Sequence, residues 1–181
     1  MKVNPSLTTF SVFAIVCGAM FSTPATAQKK ANFSDAEIAS IAVTANKIDI
    51  QYGEIAKEKS KDADVLNFAD AMIKDHQGVI DQAVALVTKL GVTPKNNSTS
   101  KKLLSDAAKI NKQLRAKNGD AFNKAYIDNE VAYHKAVIGT VENALIPQSQ
   151  NAELKGLLQS VLPVLKTHLE HAEMVQMKIS K

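Results

Sequence analysis

Residues 92–120 read VTPKNNSTSKKLLSDAAKINKQLRAKNGD, and this stretch separates two ways of arranging the helices around it. It opens with Pro94 and a loop rich in Asn, Ser and Thr over residues 92–100. A short helix follows over about 101–117 and stops at Gly119, where Asp120 is placed to cap the next helix. At 1.5 Å per residue this inner helix spans roughly 25 Å, enough to carry the chain back along its neighbours. The long helices on either side of it are therefore predicted to run parallel.

Working outward, Asp62 caps the helix before the stretch, and Gly91 followed by Pro94 ends it. Its apolar stripe is Val65, Phe68, Ala69, Met72, Ile73, Val79, Ile80, Ala83 and Val87, at the spacing of one helical face. Earlier still, Ser34 and Glu37 form a capping box that starts a first helix running to about Lys59. The turn between these two helices is very short, so they should be antiparallel neighbours. On the other side, the Asp120 helix runs to about Leu145, Pro147 marks a turn, and a final helix covers about 152–179. The chain has no tryptophan, few β-branched runs and abundant Ala, Leu, Lys and Glu, which favours an all-α domain over residues 34–179. One long crossover within otherwise antiparallel helices is the connectivity of a ferritin-like four-helix bundle, with a short crossover helix between long helices two and three. A plain up-and-down bundle is the alternative.

Residues 1–27 stand apart. Lys2 precedes a largely apolar run from Phe10 to Phe21, and Ala25, Thr26 and Ala27 read as the small-residue cleavage site of a secretory signal peptide. The expected mature chain begins at Gln28 and is exported, with a periplasmic location in a Gram-negative context. The apolar run is shorter than the ~20 residues of a membrane span, and no later segment is continuously apolar. Cys17 is the only cysteine and lies in this leader, so no disulfide is expected in the mature chain. Losing Lys2 lowers the formal charge from +4 to +3, spread over interspersed acids and bases. That balance gives no reason to expect a nucleic-acid partner; a homo-oligomer is the association the reading leaves open.

Four polar residues break the apolar stripes, one on each long helix: Asp49, His76, His134 and His168. Each has apolar neighbours three or four positions away on both sides, so each should point inward. Burying an unpartnered polar group costs roughly 1–3 kcal/mol, so four such residues call for mutual partners or a ligand. By the helical rise, Asp49, His76 and His134 fall at about 18–21 Å from a shared end, and His168 at roughly 12–15 Å. Pro163 lies five residues before His168 and is expected to bend the final helix toward the centre. Glu130 lies one turn before His134 on the same face. Tyr52 and Tyr133 are each near enough in sequence to donate a hydrogen bond to Asp49 or an imidazole. His171 belongs nearer the polar edge, and Asp75 should point away from the His76 face. Three imidazoles and a carboxylate suit Zn, Fe, Mn or Cu by ligand type. No Glu stands three residues before any of the three histidines, which argues against the di-iron motif of ferritin-like enzymes. Nothing resembles a nucleophile with its base, a phosphate-binding glycine loop or a cysteine zinc site.

Phe68, Ala69, Met72, Asp75 and His76, then Phe122, Ala125, Tyr126, Val131 and His134, then Leu162, Pro163, Leu165 and His168, together resemble the bacterial family of domain of unknown function 4142. The resemblance covers about residues 34–178. It implies a ferritin-like helical domain exported to the periplasm, with no established activity. It carries the family's histidines onto His76, His134 and His168, and the family's helix-one acid, commonly Glu, onto the shorter Asp49. An outer-membrane barrel is not supported, since no alternating ten-residue strands are present. The expected function is a metal-binding or stress-related role at a buried histidine and carboxylate centre, non-enzymatic rather than enzymatic. The alternatives are a metal-free structural or binding module and a metal-dependent redox enzyme.

Overall fold

The computed structural model describes residues 32–180, and every one of its regular elements is helical. The leader reading of residues 1–27, with Cys17, lies outside the described residues. Helix α1 spans Asp35–Lys59 and α2 spans Ala63–Lys89; α3 covers Ser98–Arg115 and α4 Gly119–Thr140. One π-helical turn, Val141–Leu145, and a short α5, Ile146–Gln148, extend α4 before α6, Ala152–Ile179. Among the described residues no helix is long and apolar enough to cross a membrane.

The caps explain the boundaries. Ser34 Oγ accepts from the Glu37 N–H while the Glu37 carboxylate accepts from the Ser34 N–H, so the expected capping box starts α1. Asp62 accepts from the Val65 N–H and starts α2. Two boundaries differ from expectation. The inner helix begins at Ser98, because Asn97 accepts from the Thr99 and Ser100 N–H groups and turns part of the polar run into a cap. Asp120 does not cap α4. The chain turns at Gly119, whose φ of 55° an L side chain would resist, and Asp120 falls within the first turn. Its charge there complements the positive end of the helix.

Polar contacts fix the helix directions. The Lys95 N–H donates to the Ala36 carbonyl near one end of α1, and Arg115 pairs with Glu58 near the other. Helix α3 therefore lies along α1 and runs parallel to it. Helix α4 then descends antiparallel to α1, with Ser60 Oγ 2.7 Å from Asn123 Oδ1 near its start and the Tyr133 hydroxyl donating to the Ala45 carbonyl lower down. Since α2 is also antiparallel to α1, α2 and α4 run parallel, as the length of residues 92–120 predicts. Helix α6 returns against α2, with Lys178 beside Asp64 at one end and Lys89 beside Glu153 at the other.

Two apolar clusters fill the interior. One contains Tyr52, Phe68, Met72, Phe122 and Tyr126; the other contains Ile38, Ile41, Leu145, Leu154 and Leu158. Between them lies a layer of buried polar residues: Asp49, His76, Glu130, His134 and His168.

Candidate metal centre

Four helices each present a side chain to this layer. Asp49 comes from α1, His76 from α2, Glu130 and His134 from α4, and His168 from α6, all buried. The His76 and His168 ring centroids are 5.1 Å apart, His134 and His168 5.6 Å, and His76 and His134 5.7 Å. The lower level expected for His168 does not separate it from the others. Counted from the Lys178–Asp64 pair, His168 is about 15 Å down α6 and His76 about 18 Å down α2 by helical rise. Side chains tilt toward their own helix N-terminus, and these helices are antiparallel, so the two rings tilt toward each other. The meeting follows from helix direction and requires no bend at Pro163.

Each imidazole has one nitrogen engaged away from the centre. His76 Nδ1 is 2.7 Å from Asn46 Oδ1, so this nitrogen is the protonated donor. His134 Nδ1 donates to the Glu130 carbonyl at 3.0 Å. His168 Nε2 is 3.1 Å from Asp75 Oδ2. The remaining nitrogens, His76 Nε2, His134 Nε2 and His168 Nδ1, are buried and make no hydrogen bond within the protein. With the outer nitrogen holding the proton, each of these presents a lone pair.

The carboxyls are equally short of partners. Both oxygens of Asp49 and both of Glu130 are buried without a hydrogen bond, and both residues are 0 % exposed. Asp49 Oδ2 lies 3.3 Å from His76 Nε2 and 3.6 Å from His134 Nε2, and Glu130 Oε2 lies 3.5 Å from His134 Nδ1. These are ion-pair distances, yet burial removes the charges. Desolvation pushes Asp49 up to about 8 and raises Glu130 well above the carboxylate range, with the Asp49 charge adding to the latter. Desolvation and the neighbouring histidines bring His76 down to about 2. His134 falls to about 4 through desolvation, against the Glu130 carbonyl, which favours its charged form. His168 is also lowered by burial, with Asp75 opposing. At neutral pH the layer therefore holds neutral imidazoles and protonated carboxyls.

Two sets of side chains bring ligand atoms within 4.8 Å of one another: His76, His134 and His168, and Asp49, Glu130 and His134. They share His134. The polar residues expected to face inward from four separate helices thus meet in one place. Two partners differ from expectation. The Tyr133 hydroxyl donates to the Ala45 carbonyl at 3.0 Å, not to Asp49 or an imidazole, because α1 presents that carbonyl to α4 one turn before Asp49. Tyr52 packs edge-on against Tyr133. Asp75 does not turn away from the centre's surroundings; it reaches across to α6 and holds His168. His171 is more exposed than His168 and packs edge-on against Phe68.

Asn46 is the residue that sequence reasoning missed. Its signal was available, since it lies three positions before Asp49 on the same face of α1. Asp75 carried no such signal, because its role depends on where α6 passes.

A family model described as domain of unknown function (DUF4142) matches residues 20–175. No curated protein and no solved structure matches the chain.

Proposed function

We propose that this chain, which belongs to the family of domain of unknown function DUF4142, binds a divalent transition-metal ion through His76, His134, His168 and Asp49. The observation that carries the reading is the set of three buried imidazole nitrogens, each freed by an outer partner on its other nitrogen. Outer hydrogen bonds of this kind fix the tautomer and orientation of metal-binding histidines. Asp49 supplies an anionic oxygen beside two of these nitrogens, and Glu130 stands as a second carboxylate within reach of Asp49 and His134. Imidazole with carboxylate suits Zn, Fe, Mn or Cu. When bound, the ion supplies the positive charge that two buried carboxylates need.

A metal-free hydrogen-bond network fits less well. A buried network normally satisfies its members; with Asp49 protonated its O–H can donate to His76 Nε2 at 3.3 Å, but His134 Nε2, His168 Nδ1 and both Glu130 oxygens still have no partner in the protein. The parallel course of α2 and α4 and the return of the chain along α3 support a ferritin-like bundle as the scaffold. The leader pattern of residues 1–27 supports export, which N-terminal sequencing of the mature protein would test through a start at Gln28.

The deciding experiment is metal analysis of the purified protein after supplementation with Zn(II), Fe(II), Mn(II) or Cu(II) in turn. The expected result is stoichiometric metal that is lost when His76 and His134 are both changed to Ala. Wild-type protein that stays free of every metal offered overturns the reading.

A further inference from the structure

A cavity of about 370 Å³ adjoins the histidine layer. Its walls are mostly aliphatic, with Ile41 from α1, Ala83 from α2, Leu103 from α3, Val137 from α4, and Val161 and Leu165 from α6. Asp49, His76, His134 and His168 also line it together, and Asn46, Asp106, Asn129 and Tyr133 add further polar groups. Ala132 and Ala136 of α4 line the cavity and are exposed, so it reaches the surface on the side of α4 that faces α3.

Binding pockets for small molecules are mostly apolar, with a few convergent polar groups, and occupy about 300–1,000 Å³. At about 30 Å³ for each water-sized group, this one holds on the order of a dozen non-hydrogen atoms. The polarity of the walls restricts their chemistry. A molecule with polar groups along its length would leave them unpaired against aliphatic walls. One polar end can meet the histidine layer.

We propose that this cavity binds an aliphatic monocarboxylate of about ten carbons, its tail among the aliphatic faces that α1, α2, α3, α4 and α6 turn to the cavity and its carboxylate at the histidine centre. The identity of the head group rests on the metal reading above, since an anionic oxygen matches a site that holds a cation. The placement of the tail rests on the cavity alone.

The test titrates hexanoate, octanoate and decanoate into the protein, with and without bound Zn(II), by calorimetry, with zinc content measured separately. The expected affinity rises about three- to fourfold for each added methylene, as tail burial requires. Zinc loading should strengthen binding of all three. Ala83→Leu and Val161→Phe, which fill the cavity away from the centre, should each weaken decanoate binding at least tenfold and leave zinc content unchanged. Affinity that does not depend on chain length, or that both filling variants leave intact, overturns the proposal. If no zinc binds, the metal reading fails separately: decanoate binding that the filling variants abolish still supports the tail site, and its absence overturns the proposal. Binding that is indifferent to zinc in a protein shown to hold it overturns the placement of the carboxylate.

Discussion

Asp49 Oδ2 stands 3.3 Å from His76 Nε2 across the α1–α2 interface, and neither atom has a hydrogen-bond partner elsewhere in the protein. Burial holds the carboxyl protonated and the imidazole neutral. Their closeness is thus not that of an ion pair. It is that of a protonated carboxyl whose O–H can donate to the imidazole lone pair, a place that a shared cation would take over.

Zinc binding should release protons. At pH 7 Asp49 must lose the proton it holds up to about 8, and Glu130, which burial also raises well above the carboxylate range, must lose its own if it joins the ion. The expected release is between one and two protons per ion, with apparent affinity rising as pH approaches 8. Calorimetry in buffers of different ionisation enthalpy measures the release. A value near zero would contradict protonated carboxyls at neutral pH, and Glu130→Gln should lower the value if Glu130 takes part.

The heat stability of the metal-free protein should fall as pH rises above about 6.5. Asp49 and Glu130 have folded pKa values raised from 3.8 and 4.5, so their contribution is full below those values and is lost as pH rises, for Asp49 through about 8. His76 and His134 are depressed from 6.5 to about 2 and about 4, and His168 is lowered too. Their contribution is full above 6.5 and is lost as pH falls. Between about 4.5 and 6.5 the imidazoles and the carboxyls act in opposite directions, and above 6.5 only the carboxyls act, each by about 1.4 kcal/mol per pH unit at most. Scanning calorimetry from pH 5 to 8.5 should show the alkaline decline, and Asp49→Asn should make it shallower while sparing the acid side.

The outer partners should matter for affinity without being ligands. Asn46→Ala frees His76 Nδ1, and Asp75→Ala frees His168 Nε2. Loss of such a partner typically weakens metal binding about 10–100-fold. Chelator competition should show that range for both variants, with stoichiometry retained at saturating metal. Wild-type affinity in both would remove the argument from fixed tautomers.

Gly53 tests the packing that brings Asp49 to His76. A Cβ there would lie 2.9 Å from Ile73 Cγ1 and 3.2 Å from the Ala69 carbonyl oxygen. Overpacking costs about 1–3 kcal/mol, against a gain of about 0.5–1 kcal/mol from replacing a helical glycine. Gly53→Ala should therefore lower the unfolding free energy, whereas Gly156→Ala in α6, with nothing within 4 Å of the added carbon, should raise it. Urea titration of the two variants measures both signs.

The number of long helices, most of their ends and the residues that turn inward are all legible in the order of the amino acids. These are local matters. Ser34 with Glu37 and Asp62 with the Val65 N–H cap their helices within one turn, and a period of 3.6 residues places Asp49, His76, His134 and His168 on apolar faces whatever packs against them. The length of residues 92–120 was enough to set the parallel course of α2 and α4.

What those four residues do to one another is set by how the helices pack. Which nitrogen is free on His76 and on His168 depends on Asn46 and Asp75, two residues whose partners lie 30 and 93 positions away along the chain. The neutral state of Asp49 and Glu130 depends on complete burial, which no single helix can impose. The cavity beside them exists because the five helices α1, α2, α3, α4 and α6 leave space between their aliphatic faces. Periodicity gives direction from a helix axis; distance, desolvation and empty volume arise only between helices, once their axes are placed.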